Sequence, residues 1–289
     1  MAALCSFPCD MVLRTKMSQN HVNWFYAAEL PIPGRVEATR ALHWITMRLT
    51  ARGWCFAPLW MLARLHDPSL RLTWAVTPQE RLRLRCILDA IVAALYGLSR
   101  DDLRWVLRDC DHPTERVTNK AFARTLDPKG FWRVDKSEPP ELRHTVLTLV
   151  AFDALERLIA EHDGDRDKAI DAFASLNDGE GWMLPDTLRL SDHDLGHDER
   201  AKHPQLVASA LGERFYDWQL AQTPEESWAE CERHARAVLG DEEYERRFVH
   251  GEPEAPAAAP ATPRSSARQQ TLFTPEQAGD RQRSLFDDD

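Results

Sequence analysis

The sequence lacks the features that mark membrane-spanning and secreted proteins. No apolar run approaches the roughly 20 residues that a helix needs to cross a bilayer. The opening stretch, MAALCSFPCD, has no basic segment followed by a long apolar one, which a signal peptide would require. We therefore expect a cytoplasmic protein that has no membrane partner.

Cysteines in a metal-binding or disulfide pattern are also missing. Of the six cysteines, only Cys5 and Cys9 lie close together in sequence, and no CxxC pair occurs. We expect reduced cysteines in apolar surroundings and no metal site built from them.

Sequence motifs for common catalytic chemistry are absent as well. The sequence has no Gly-rich turn between a strand and a helix, no Walker motif, no serine elbow and no HExxH. The lone GEG at 179–181 follows no apolar strand, so we interpret it as an ordinary loop. No catalytic residue is predicted from the sequence.

Charge is distributed unevenly along the chain, whose net charge is −10. Residues 1–136 hold 20 Lys and Arg against 13 Asp and Glu, a net of +7. Residues 137–289 hold 16 against 33, a net of −17. The asymmetry indicates that any contact with a polyanion lies in the first half, although solvated surfaces would also produce it.

Apolar spacing predicts a mainly α-helical fold. Helix-start signals occur at TPQE (77–80), at Ser99 to Asp102 and at TPEE (223–226), and Pro139 and Pro140 open another helix. Residues 10–33 instead predict strands, MVLRT and VNWFYAAELPI, around a polar turn. From 251 the composition predicts a disordered tail. The expected organisation is a strand-containing segment at 1–35, a helical domain at 36–250 and a tail at 251–289.

Acidic and imidazole groups cluster in the segment 177–204, which we predict to be a long polar loop. The cluster comprises Asp186, Asp192, His193, Asp194, His197 and Asp198. The spacing of the two histidines would suit a metal on a helix, but the neighbouring glycines favour a hydrogen-bonded surface loop. We predict no metal site there.

Two stretches combine polar or basic groups with aromatics, as nucleic-acid contacts do. In 14–24 the amides suit adenine edges and the cations suit guanine or phosphate. The candidates there are Arg14, Lys16, Gln19, Asn20, His21 and Asn23. In 129–136, Lys129, Arg133 and Lys136 flank two aromatics, a pattern typical of phosphate contact or stacking. A second interpretation stays open, in which the cations only rim a core. We favour core positions for the aromatics Trp24, Phe25, Phe131 and Trp132.

The same stretches resemble a known family. SFPCDMVLRTKMSQNHVNWFYAAELPIP resembles the end of the target-recognition region in large adenine-specific DNA methyltransferases of restriction–modification systems and of BREX- and DISARM-type phage-defence systems. The matching positions are Phe7, Asp10, Arg14, Lys16, Asn23, Phe25, Leu30, Pro31 and Pro33. Three later segments resemble the helical C-terminal part of these enzymes: ILDAIVAALYGLSRDDLRWVL, LDPKGFWRVDKSEPPELRHTVLTLVAF and LPDTLRLSDHDLGHDERAKHPQLVASALGERFYDWQL. The resemblance covers most of residues 4–240.

The resemblance implies a function and also its limits. In this family the donor S-adenosylmethionine binds a Gly-rich turn, and an Asn-Pro-Pro-Tyr-type motif holds the flipped adenine. Neither motif occurs here, so we expect no cofactor in this chain and no methyl transfer by it alone. The implied role is DNA recognition or support, and the implied partners are DNA and a methyltransferase catalytic subunit or other defence-system proteins. The alternative is a helical protein–protein module that docks on a separate methyltransferase subunit without contacting DNA.

The tail carries two short motifs of one pattern. QQTLF (Gln269 to Phe273) and QRSLF (Gln282 to Phe286) resemble the peptide by which bacterial proteins bind the replication sliding clamp. A Leu-Phe pair of this kind would anchor in an apolar groove. We favour an unbound tail and keep the clamp as a possible partner.

Overall fold

The computed structural model describes residues 3–17, 22, 24–33, 39–68, 70 and 77–251. Within these residues the chain forms fourteen α-helices and one antiparallel pair of short strands. The helices are α1 (Phe7–Lys16), α2 (Trp24–Ala28), α3 (Thr39–Thr50), α4 (Ala57–His66), α5 (Pro78–Leu95), α6 (Arg100–Val106), α7 (Thr114–Thr118), α8 (Lys120–Ala123), α9 (His144–Glu161), α10 (Arg166–Gly179), α11 (Ala208–Leu211), α12 (Asp217–Ala221), α13 (Pro224–Leu239) and α14 (Asp241–Tyr244). The strands are β1 (Thr187–Leu188) and β2 (Gln205–Leu206). The predicted mainly α-helical fold is confirmed.

The chain divides into two units, the first of which ends at Tyr244. The described part of the second is a single π-helical turn at Glu245–Val249. The predicted tail and its two clamp-like motifs lie outside the described residues. Among those that are described, no helix has both the length and the apolar character needed to cross a membrane.

Two long helices form the centre of the first unit. α5 buries side chains around almost its whole circumference from Leu82 to Ala94, and α9 packs along it. A helix that is apolar on nearly all sides belongs in the middle of a bundle. α1 and α3 pack against α5, α10 packs against α9, and α13 packs against α4.

Local capping explains where several helices begin. The Thr77 hydroxyl accepts the Glu80 N–H at 3.2 Å, and Pro78 occupies the first turn of α5. Ser99 and Thr223 form reciprocal capping boxes at the starts of α6 and α13. These predicted starts are confirmed. α9 begins later than predicted, at His144, because Pro140–Leu142 forms a separate 3-10 turn.

The predicted strand at MVLRT is wrong, because Phe7–Lys16 is a helix. Ser6 is the N-cap, and its hydroxyl accepts the Cys9 N–H at 3.5 Å. Phe7 and Met11, four residues apart, are both buried in the core that α5 shares. The helical period of this burial outweighs the β propensity of the short apolar run. Part of the second predicted strand forms α2.

The two strands lie instead in the segment that was predicted to be a polar loop. Thr187 pairs with Leu206 and Leu188 pairs with Gln205. The segment also buries Leu188, Leu190 and Leu195 against the main core. The segment is therefore an ordered series of short turns that packs on the helices through a few buried leucines.

A buried ion cluster holds the start of α5. The fully buried Glu80 carboxylate accepts hydrogen bonds from Arg83 Nη2 and Arg48 Nη2 at 2.7 Å and from Arg214 Nε at 2.9 Å. Burial alone would raise the pKa of Glu80, but the hydrogen bonds and charges of these arginines outweigh it and lower the pKa to about 2. The start signal TPQE predicts a capping box that includes Glu80, but the Glu80 carboxylate binds these arginines instead.

Candidate nucleic-acid interface

A tight turn shapes the segment 127–136, which we call the cation loop. The Asp127 carboxylate accepts the Lys129 N–H at 2.7 Å, and the Asp127 carbonyl accepts the Gly130 N–H at 3.0 Å. The same carbonyl accepts Trp132 Nε1 at 2.8 Å. An Asx turn of this kind fixes the backbone locally, so Lys129 is displayed outward while Trp132 points inward.

The aromatics of the cation loop are core residues, as predicted. Phe131 is 0% and Trp132 is 4% exposed. The Phe131 ring meets Phe7 of α1 edge to face, with ring centroids 4.8 Å apart. The prediction was wrong for Phe25, which is 54% exposed. The side chain of Trp24 lies outside the described residues.

Arg14 joins the two stretches that the sequence marked separately. Its guanidinium donates to the carbonyls of Lys129 and Gly130 at 3.2 and 3.3 Å and lies 4.1 Å from the Phe131 ring centroid. It also pairs with Asp10 at 2.9 Å. Because most of its donors are engaged within the protein, Arg14 attaches the cation loop to α1 and offers little free charge to a ligand.

The other candidates of the first stretch are only partly described. The Lys16 ammonium pairs with Glu29 at 3.3 Å on the surface. Gln19, Asn20, His21 and Asn23 lie outside the described residues. Their predicted role in DNA contact stays a prediction.

The three cations of the second stretch are all exposed. Within the described part of the chain, no carboxylate pairs with Lys129, Arg133 or Lys136. The Arg133 guanidinium lies 4.9 Å from the Trp132 ring centroid. The cation loop therefore presents three positive groups to solvent from a backbone that is fixed on its inner side.

Arg143 connects the end of the cation loop to the turn that follows α6, and sequence reasoning missed it. The side chain is fully buried and donates to the carbonyls of Cys110, His112 and Glu138, each at 2.8 Å. It also reaches the Lys136 carbonyl at 3.3 Å. Burial lowers the pKa of Arg143, and the four carbonyl dipoles compensate for the lost water. A single Arg in an ordinary loop sequence gives no signal of this role.

Arg108 and Trp105 at the end of α6 border the cation loop. The Arg108 guanidinium pairs with the Asp127 carboxylate and lies 4.2 Å from the Trp105 ring centroid. The backbone N–H of Lys129 and the charge of Arg108 hold the pKa of Asp127 below its usual value. Sequence reasoning missed this pair as well, although the i, i+3 spacing of a Trp and an Arg is a signal for such stacking.

The acidic and imidazole cluster separates into two hydrogen-bonded contacts. His193 Nδ1 lies 2.6 Å from Asp153 Oδ2 of α9, while His197 Nε2 lies 2.7 Å from Asp111 Oδ1. The His197 ring stacks on His112 with centroids 3.9 Å apart. No group of three or more His, Cys, Asp or Glu side chains in the described ranges could hold a metal ion. The contacts attach the 190–203 segment to α9 and to the turn that follows α6.

All six cysteines are free thiols. Cys86 and Cys110 are fully buried, and burial raises the pKa of both thiols above the usual range. Neutral buried thiols of this kind are poor nucleophiles.

Comparison of the chain with protein-family models, with curated proteins and with solved structures finds no match.

Proposed function

We propose that this chain is the DNA-recognition and accessory part of an adenine-specific DNA methyltransferase of a restriction–modification or phage-defence system. The observation that carries the proposal is the junction of α1 with the cation loop through Arg14. The sequence predicted DNA contact for two separate stretches, which contain Arg14 and Lys129. These two residues are 115 positions apart in the sequence and are neighbours in space. The chain would act in the cytoplasm, where its target DNA lies.

The cation loop suits phosphate binding. Lys129, Arg133 and Lys136 have no carboxylate partner among the described residues, so their full charge is available to a polyanion. Asp127 accepts the Lys129 N–H and Arg143 donates to the Lys136 carbonyl, so the loop backbone loses little conformational entropy when a phosphate binds. Contacts of this kind position a protein on DNA and carry no sequence information by themselves.

Charge distribution favours one orientation on DNA. The first 136 residues carry a net of +7, whereas the rest of the chain carries −17. A polyanion is attracted to the first part and repelled by the second, which favours approach from the side of the cation loop. Base reading would come from Gln19, Asn20, His21 and Asn23 in this proposal, with Arg14 and Lys16 supporting them.

Methyl transfer is assigned to a separate catalytic part. The sequence holds neither a Gly-rich donor turn nor an Asn-Pro-Pro-Tyr-type motif. S-adenosylmethionine would therefore bind to the catalytic part of a complete family member and not to this chain.

The test compares two double variants of the full chain that lose the same charge. In Lys129→Ala/Lys136→Ala the cation loop loses two exposed ammonium groups. In the control, Lys168→Ala/Lys202→Ala, two exposed lysines are removed from the acidic part of the chain. Duplex affinity is measured by fluorescence anisotropy between about 50 and 200 mM salt.

We expect the loop variant to bind more weakly and to be less sensitive to salt. Each lost phosphate contact lowers the magnitude of the slope of log K against log salt by about 0.9, so the change is about 2. The control variant should keep the wild-type slope. Equal slopes for the loop variant and the wild type would remove the cation loop from the DNA surface.

An apolar surface supports the second candidate, a protein–protein module. Trp54, Phe56, Leu59, Leu62 and Leu65, which we call the apolar row, are 41 to 58% exposed around α4. Exposed apolar side chains concentrated in one short segment are typical of a docking surface. The partner in this reading is a methyltransferase subunit encoded alongside the chain.

Disruption of the apolar row tests the docking function. We expect Leu59→Ser/Leu62→Ser to abolish co-purification with such a subunit while DNA affinity stays unchanged. The control is Leu206→Ser/Leu220→Ser, which alters two leucines that are more exposed but lie outside the row. If Leu59→Ser/Leu62→Ser co-purifies with the subunit as well as Leu206→Ser/Leu220→Ser does, docking at the apolar row is contradicted.

A further inference from the structure

Trp105 is an exposed aromatic on a helix whose other apolar residues are buried. α6 buries Leu103 and Val106 in the main core, while the Trp105 side chain is 58% exposed. The exposed indole offers an aromatic face on which a flat ligand can stack.

The Trp105 ring is already stacked on a fixed cation. The Arg108 guanidinium lies 4.2 Å from the ring centroid, and Arg108 Nη1 donates to the Trp105 carbonyl at 2.9 Å. The Asp127 carboxylate holds the same guanidinium from the other side. The planar cation and the indole therefore form a rigid pair whose orientation is set before any ligand arrives.

The pair adjoins the cation loop through Asp127. One Asp127 oxygen pairs with Arg108, and the other accepts the Lys129 N–H at 2.7 Å. One carboxylate therefore links the Trp105–Arg108 pair to the backbone of Lys129, whose side chain is exposed to solvent. Such a combination of an exposed aromatic with free cations suits a nucleobase together with its phosphate.

Resting on the DNA-binding function proposed above, we propose that Trp105 and Arg108 form a stacking platform for an unpaired nucleobase. The ligand class is single-stranded DNA, whose phosphate is bound by Lys129. Base stacking on an aromatic side chain tolerates every base, so the platform would hold a strand without reading its sequence.

The experiment uses the full chain and a single-stranded oligonucleotide that contains 2-aminopurine, whose fluorescence falls when it stacks. Trp105→Ala removes the platform, and Trp105→Phe keeps an aromatic face. The matched control is Trp218→Ala, because Trp218 is also exposed (49%) and lies outside both the cation loop and the apolar row. Urea unfolding midpoints of all three variants establish that the fold is kept.

We expect Trp105→Ala to lose about 5- to 150-fold in single-strand affinity, the range that one stacked base contributes, together with the 2-aminopurine quenching. The salt slope should stay unchanged, because stacking releases no counterions. Trp105→Phe should keep most of the affinity, and Trp218→Ala should match the wild type.

The outcomes separate this inference from the function on which it rests. Equal single-strand affinity and quenching in Trp105→Ala and Trp218→Ala would overturn the stacking platform, and so would binding to duplex DNA only. Loss of a protein partner in Trp105→Ala with unchanged single-strand affinity would also overturn it. Absence of all DNA binding by the wild-type chain would overturn the proposed function and the platform together.

Discussion

Single buried charges determine much of this structure. Glu80 neutralises three arginines from the first turn of the central helix. Arg143 binds four backbone carbonyls and pairs with no carboxylate in the described part of the chain. Removing one member of a buried ion cluster leaves the others uncompensated, which costs more than the cluster itself contributes. The two residues act on different parts of the molecule, since Glu80 stabilises the core and Arg143 shapes the surface loop.

Glu80→Gln should destabilise the protein at neutral pH by about 3–5 kcal/mol, because it removes the buried carboxylate that Arg48, Arg83 and Arg214 share. The free energy of unfolding is measured by urea denaturation. Glu199→Gln is the control, because Glu199 is exposed and its pair with Lys202 contributes little. A change as small as that of the control would show that the cluster is not a significant stabiliser.

The pH dependence of stability should change in the same variant. The pKa of Glu80 is depressed from 4.5 to about 2, so its contribution is complete above pH 4.5 and is lost as the pH falls towards 2. The wild type should lose about 3 kcal/mol over this window through Glu80. Glu80→Gln should lack this part of the acid sensitivity, and an unchanged pH profile would contradict the assignment.

At the scale of secondary-structure elements, α1 has the largest consequences for function. Its apolar side joins the α5 core through Phe7 and Met11, and its last turn holds the cation loop through Arg14. The Asp89 carboxylate of α5 accepts the Phe7 N–H at 2.7 Å and so fixes the start of the helix. α1 therefore connects the core to the cation loop on the surface.

Substitution of two phenylalanines tests the buried packing of α1 against the exposed position of Phe25 in α2. Phe7→Ala should cost about 3–5 kcal/mol in the free energy of unfolding, because it opens a cavity beside Phe131. Phe25→Ala should cost less than about 0.5 kcal/mol, because that ring is exposed. Urea denaturation measures both, and similar losses would contradict the helical packing of α1.

The elements that could be predicted from the sequence are those with a local cause. The starts of α5, α6 and α13 follow from Thr77, Ser99 and Thr223, whose capping partners lie three residues away. α1 could not be predicted in the same way, because the burial of Phe7 depends on α5, more than 70 residues later in the chain.

The candidate site was likewise predictable only where its features have a local cause in the sequence. Three exposed cations of the cation loop were identified from their own segment, as were its buried aromatics Phe131 and Trp132. The contacts of Arg14 and Arg143 could not be found, because their partners are carbonyl groups, which carry no signature in a sequence. The Trp105–Arg108 pair was not predicted either, because the sequence of its segment was interpreted only as a helix.

At the scale of the whole molecule, the charge distribution and the position of the cation loop both bear on the proposed polyanion binding. A net of +7 in residues 1–136 stands against −17 in the rest, and the cation loop is anchored where α1 meets α6 and the start of α9. Polyanion binding would therefore be confined to one part of the surface and weakened elsewhere by repulsion. The apolar row around α4 leaves a separate region for a protein partner.

The most direct test of this account is the salt dependence of duplex DNA binding by the wild-type chain. Three free cations on the cation loop predict that log K falls linearly with log salt with a slope of about −3, since each phosphate contact contributes about 0.9. A binding constant that is independent of salt, or no measurable binding at about 50 mM salt, would contradict the proposal that this chain contacts DNA.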